Sequence, residues 1–247
     1  MIRQFIREFI ERSRTGKRAA AWRTGTIAIM YHSVSSPSNP SPYLFSTPVN
    51  VFKKHMEMFD EIGNFISPTS IVSNNSRSPS RNELNIILTF DDGYRDALEV
   101  VAPILERYDA PAAVFVTTNL IESGMESFMS WNDLRELAEY EQITIGSHCR
   151  HHWNLTALSS ADAKTEVRES KLRIEEEIDT DIMVFSYPSG GYTPELGRIV
   201  ADTGYELAFI DEPTRNKNLY ALGRLGIHKH NQTPNRLSAL LATEPAY

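Results

Sequence analysis

Asn85-Ile86-Ile87-Leu88-Thr89-Phe90-Asp91-Asp92-Gly93-Tyr94-Arg95-Asp96 is the stretch that decides the fold. Its apolar run, Ile86–Leu88, reads as a short buried strand. Two adjacent carboxylates, Asp91 and Asp92, follow, then Gly93, and a helical pattern opens near Tyr94. Acids at the carboxyl end of a buried strand stand where parallel α/β folds place their chemistry. Two touching acids also repel, so a cation or a proton must neutralise them. The pair therefore reads as part of a metal-dependent hydrolytic site whose other ligands come from elsewhere in the chain.

Outward from this stretch, strands and helices alternate. Thr24–Tyr31 reads as a buried strand ending at His32, and Phe65-Ile66 as a short one. Ala112–Thr117 and Ile143–Ile145 are further strands, the latter leading into Gly146-Ser147-His148. Ile182–Phe185 ends in Ser186-Tyr187-Pro188-Ser189-Gly190-Gly191, and Tyr205–Phe209 and Leu222–Ile227 are the last candidate strands. Thr-Pro pairs at 47–48, 193–194 and 233–234 predict helix starts, with Thr as N-cap and Pro at the first helical position. Ser130 with Asp133, and Ser159 with Asp162, predict two more. Residues 35–46 and 69–81 read as loops. No linker splits the chain, and the alternation predicts one parallel α/β domain.

Composition narrows the function classes. Of 247 residues, 41% are hydrophobic and 23% charged, which suits a globular protein. The net charge of −7 argues against a nucleic-acid partner. Cys149 is the single cysteine, so no disulfide forms within the chain. No apolar run approaches the ~20 residues of a membrane span. Residues 1–23 carry seven basic and two acidic residues, with Ile2, Phe5, Ile6, Phe9 and Ile10 at helical spacing. This predicts a basic amphipathic helix ahead of a catalytic domain over residues 24–247. Charges through its middle argue against a secretion signal. The expected location is the cytoplasm or the cytoplasmic membrane face, with residues 1–20 packing on the domain, self-associating or touching an anionic membrane.

Several expected strand ends carry polar groups: His32, Asp91-Asp92, His148 with His152, and the turn after Pro188. In a closed parallel barrel these meet on one face. Alone, an Asp-Asp pair also reads as a helix cap, and His-x-x-x-His as an incidental spacing. Together they make a carboxylate and two imidazoles, a set that suits Zn²⁺ or another divalent transition ion and leaves positions open for water and substrate.

Thr89-Phe90-Asp91-Asp92-Gly93-Tyr94, then Ser147-His148-x-x-x-His152-x-Asn154-Leu155, then Phe185-x-Tyr187-Pro188-x-Gly190 resemble the ordered motifs of the polysaccharide deacetylases, the NodB-homology enzymes of carbohydrate esterase family 4. Met30-Tyr31-His32 and Arg224-Leu225-Gly226-Ile227 are similar to the exopolysaccharide branch. The resemblance spans roughly residues 26–228. It implies a distorted (β/α)₇ barrel and metal-dependent removal of N-acetyl groups from N-acetylhexosamine units of a bacterial glycan or its precursor. Alternatives are an amidase acting on a lipid-linked amino sugar or other small amide, and a non-catalytic glycan-binding barrel.

Carried over by motif, the resemblance makes Asp92, His148 and His152 ligands of a divalent ion, expected to be Zn²⁺ with Co²⁺ or Ni²⁺ as alternatives. Asp91 becomes the general base, and the backbone N–H after Pro188, at Ser189, an oxyanion donor. Tyr187, Tyr94 and Arg224 are further substrate-side candidates. The chain departs from the family pattern in the late segment, where Gly226-Ile227-His228-Lys229-His230 replaces a Leu-His motif. His32 is therefore the preferred general acid and His228 the alternative. Ser186 stands where many members carry an arginine that orients the base, and Arg224 is the candidate substitute. Ser189 stands where an aromatic is common. Cys149 and Trp131 are expected to be core residues, His151 to point away from the metal, and Asp96 to serve the following helix N-terminus.

Overall fold

The computed structural model describes residues 25–35, 45–72, 83–214, 218–229 and 232–241. The expected helix over residues 1–23 lies outside them, as do His230, most of the loop 35–46 and residues 73–81 of the loop 69–81.

Two-residue periodicity in the strands builds two apolar layers. In β5 (Leu84–Phe90) every residue is buried, because one face looks into a barrel and the other meets helices. Ile87 joins Ala28, Ala113, Phe115, Val184, Leu207, Phe209 and Leu222 in one cluster, drawn from alternate positions of successive strands. Their neighbours, including Ile27, Ile29, Ile86, Leu88, Val114 and Val116, face the surrounding helices in a second, larger cluster.

The strands run β10 (Arg224–Gly226), β1 (Gly25–Tyr31), β5, β6 (Ala112–Val116), β7 (Ile143–Ser147), β8 (Val184–Ser186) and β9 (Leu207–Phe209), all parallel. A parallel bridge between Phe209 and Leu222, just ahead of β10, nearly closes the ring. This is a single-domain, distorted (β/α)₇ barrel. The short β4 (Asn64–Phe65) takes the lower edge of β5 through Asn64↔Asn85, while β6 pairs the upper edge from Leu88. β2 (Val34–Ser35) and β3 (Thr47–Pro48) form a separate parallel pair beyond the end of β1.

The helices are α1 (Val49–Ile62), α2 (Ala102–Glu106), α3 (Thr118–Glu122), α4 (Trp131–Ala138), α5 (Ser160–Ile178), α6 (Pro194–Asp202) and α7 (Pro234–Leu241). Three predicted starts hold in detail. Ser130 and Asp133 form a reciprocal capping box, Ser159 accepts from the Asp162 N–H, and Thr193 from the Leu196 N–H. The Thr47-Pro48 start does not. Both residues extend as β3, and α1 begins at Val49 with no side-chain cap, because pairing of Thr47 with Val34 takes precedence over capping. The helix expected from Tyr94 begins as a π-helical turn over Ala97–Val101, and α3 was not anticipated. Among the described residues no helix is long and apolar enough to cross a membrane.

Candidate active site

Alternation along β5 puts Ile87, Thr89 and Asp91 on one inward column. Asp91 tops this column just past the strand end and is only 2% exposed. Beneath it the barrel holds an arginine. The Arg224 guanidinium, fully buried, lies 5.8 Å from the Phe115 ring centre and 5.9 Å from that of Phe209. Gly146 makes room for this floor: a Cβ there would sit 2.5 Å from the Phe115 ring.

Arg224 is bound to Asp91 through two parallel hydrogen bonds, Nη1 to Oδ1 at 2.8 Å and Nη2 to Oδ2 at 2.7 Å. Its other donors reach Thr89 Oγ1 at 3.2 Å, Ser186 Oγ at 2.9 Å, Asp211 Oδ1 at 3.0 Å and the Ile210 carbonyl at 3.3 Å. Ser186 in turn donates to Asp91 Oδ2 at 3.3 Å. A buried ion pair persists only when its remaining donors are satisfied in this way. Burial pushes the Asp91 carboxyl up, but Arg224, then His148 and His32, hold it well below the usual carboxylate range. Arg224 has no face toward open space. It lies behind Asp91, the candidate base, at the carboxylate that a third-motif arginine would orient, and it comes from β10 where β8 supplies only the small Ser186.

Asp92 points elsewhere. Its backbone has φ 76° and Gly93 follows at φ 82°, a left-handed turn in which a Cβ at Gly93 would meet Val116 and Ile121 at 3.2 Å. The turn brings Asp92 Oδ1 to 3.6 Å from His148 Nε2 and 3.2 Å from His152 Nε2. His152 and Cys149 also have left-handed φ, of 60° and 64°. Such backbone is sparsely populated outside glycine and gathers at functional sites.

These three side chains fit a divalent ion. One ligand atom from each lies within 4.8 Å of the others. Asp92 Oδ1 is buried and has no aligned hydrogen-bond donor among the described residues. His148 Nδ1 donates to the Ser186 carbonyl at 2.8 Å, which leaves the Nε2 lone pair facing Asp92. Burial lowers the His148 pKa and keeps the ring neutral, the form that binds metal. Asp92 itself is held low by His152, His148 and His32 against the opposing effect of burial, and His152 is raised by Asp92.

His32 follows β1, whose last carbonyl, that of Tyr31, accepts the Asp91 N–H at 3.0 Å. Its Nδ1 is buried without a hydrogen-bond partner among the described residues. Phe45 stacks on the His32 ring at 4.9 Å and meets His228 edge-on at 5.4 Å. Both candidate acids thus share one aromatic neighbour. Pro188 is buried and Ser189 exposed in a tight turn, with Ser189 at φ 57°. Tyr187 is fully buried, and its hydroxyl donates to the Tyr220 carbonyl at 3.1 Å. It is packed in the core against Phe185 and Tyr192, with no exposed face to offer a substrate. Tyr94 is 8% exposed and stacks on Phe128.

Cys149 is fully buried, and burial raises its thiol pKa well above the ordinary value. Trp131 is half-buried beneath the Arg173 guanidinium, at 4.7 Å. His151 turns to Glu166 on α5, which accepts from its backbone N–H at 3.0 Å and meets its Nδ1 at 2.6 Å. Glu166 and Asp211 carry no motif, and sequence reasoning did not single them out. Asp96 does not cap the following helix: its carboxylate turns back to the Ser33–Val34 turn.

Comparison with known proteins agrees with this fold. The Streptococcus pyogenes deacetylase PplD, solved in complex with acetate, superposes with a TM-score of 0.76 at 25% identity, covering 89% of this chain and 99% of that one. IcaB from Ammonifex degensii shares the fold, with a TM-score of 0.75 at 20% identity over 89% of this chain and 98% of its own. The Bacillus subtilis (strain 168) protein YxkH is 28% identical over 205 residues, 81% of this chain and 70% of that protein. The family model for polysaccharide deacetylase matches residues 79–208, from just before the Asp-Asp strand to β9, and by that match, over more than half of its length, the chain belongs to the polysaccharide deacetylase family.

Proposed function

We propose that the protein is a metal-dependent N-deacetylase acting on N-acetylhexosamine units of a bacterial glycan or glycan precursor. The observation that carries this reading is the meeting of Asp92, His148 and His152 beside a buried, ionised Asp91. Family membership supports an N-acetylated glycan as substrate. Two imidazoles and one carboxylate suit Zn²⁺ best, with Co²⁺ or Ni²⁺ able to replace it. When bound, such an ion lowers the pKa of a water and polarises the acetyl carbonyl.

The chain's own groups then divide the work. Asp91, kept ionised by Arg224, takes the proton from the attacking water. The backbone N–H of Ser189 donates to the oxygen that becomes negative. His32, held beside both acids, protonates the departing amine nitrogen, and His228 across Phe45 is the alternative donor. The products are acetate and a free amine on the sugar.

Acetate release from N-acetylglucosamine oligomers of increasing length, a lipid-linked N-acetylhexosamine and a simple N-acetyl amide tests the substrate class. Turnover that rises with oligomer length supports the glycan. Turnover confined to the lipid-linked sugar or the simple amide replaces the glycan with that substrate. Bound metal with no release from any of them refutes the deacetylase reading.

A further inference from the structure

The two ends of the stretch Asp91–Asp96 hold different parts of the site. Asp92 supplies a candidate metal ligand, whereas Asp96, four residues on, reaches the turn that follows His32. Asp96 Oδ2 accepts the Ser33 Oγ–H at 2.6 Å and the Val34 N–H at 3.0 Å. Its Oδ1 is buried without a partner among the described residues, so the carboxylate's hydrogen bonding is spent on this one turn.

The turn is half of a small limb. The Ser33 carbonyl accepts the Thr47 N–H at 2.8 Å, Val34 pairs with Thr47, and Ser46 Oγ lies 3.3 Å from Ser33 Oγ and donates to Ser35 Oγ at 2.7 Å. The limb's two arms start at His32 and Phe45, whose rings stack on one another with 25° between their planes. A carboxylate that fixes Ser33 and Val34 therefore fixes both rings.

We propose that Asp96 is a positioning residue for the reaction: it clamps the limb that carries His32 and Phe45 at a set distance from the Asp91-Asp92 turn. The inference rests on the reading of His32 as the proton donor. A shift of about 1 Å in such a group costs on the order of a hundredfold in rate.

The test is a double-mutant cycle on the full chain with an N-acetylglucosamine pentamer as probe. Asp96→Ala is expected to lower kcat about 30- to 100-fold with KM and bound metal unchanged. In a His32→Ala background the same change is expected to cost less than about threefold, because the group it positions is already gone. Asp96→Asn, which keeps an acceptor for both donors, recovers all but about threefold. Ser33→Ala, which removes one of the two bonds, is the second variant should Asp96→Ala not fold, with about a fivefold loss, again absent without His32. Full additivity in the His32→Ala background overturns the proposal. A second readout needs no turnover: the His32 imidazole resonance, assigned with His32→Gln, moves in Asp96→Ala and stays in place in Asp96→Asn. An unmoved resonance in Asp96→Ala also overturns it. If the wild type releases no acetate, the deacetylase reading falls, and the resonance alone still decides the role of Asp96.

Discussion

Asp91, the proposed base, and His32, the proposed acid, are held in different ways. Asp91 is fixed from inside the barrel, by an arginine that spends all its donors on β5, β8, β9-end carbonyl and carboxylate groups, beneath full burial. His32 stands on a limb outside the strand ring, stacked on a 44% exposed Phe45 and anchored by one carboxylate. The difference separates two requirements. The proposed base must start ionised before it can take a proton, which a buried ion pair secures. The proposed acid must gain and lose a proton, and it stands on a partly exposed limb, against the Phe45 ring and close enough to both carboxylates to interact with their charge.

The sharpest way to break the comparison is at Arg224. Arg224→Ala leaves Asp91 as an uncompensated buried charge, so it is expected to cost about 3–5 kcal/mol of stability. Where it folds, the Asp91 pKa rises and turnover falls by on the order of a thousandfold; thermal melts and rates across pH check both. His32→Gln touches the limb alone, so it is expected to lower kcat by about 10²–10³ with stability and metal content intact. A large loss of stability there would mean that the limb is as integral to the barrel as Arg224.

The limb side also has its own response to pH. His55 on α1 is fully buried, accepts the Tyr31 hydroxyl hydrogen at Nδ1 (2.8 Å) and donates from Nε2 to the Gln232 carbonyl (2.6 Å). Burial lowers its pKa to about 4. The unfolded chain, with an ordinary histidine pKa near 6.5, then binds more protons than the folded one between pH 4 and 6.5. Stability contributed by neutral His55 is present above that window and lost as pH falls through it, by roughly 2–3 kcal/mol. Denaturant melts at pH 7 and pH 4.5 should show the loss in wild type and a smaller one in His55→Phe. The smallest effect belongs to Ser186→Ala, which removes one contact from each of Arg224 and Asp91. A drop of about five- to tenfold in kcat is expected, because the bidentate pair remains.

Strand content was readable from the residues because parallel strands buried on both faces are continuous apolar runs, as in Leu84–Phe90. Helix starts were readable where Ser or Thr had no competing partner, and misread at Thr47, which pairs with Val34. The grouping of Asp91, Asp92, His148 and His152 follows from motif order. What holds them was less legible. Arg224 is 133 positions from Asp91, and only the parallel pairing of β10 with β1, itself paired with β5, brings the two together. Asp96 reads locally as a helix cap, and its bonds to Ser33 and Val34, 63 and 62 positions away, are visible only in the folded chain. Glu166 sits on a helix face of mixed charge, where nothing in the local pattern marks it as the partner of His151.

The most direct test of the account is a paired measurement of bound metal and acetate release on wild type and Asp91→Asn, with an N-acetylglucosamine oligomer. Both proteins are expected to hold about one divalent ion per chain, wild-type release to be abolished by chelation and restored by added Zn²⁺, and Asp91→Asn to lose activity on the order of a thousandfold. Near-wild-type release by Asp91→Asn, or wild-type release that survives complete removal of the metal, would contradict it.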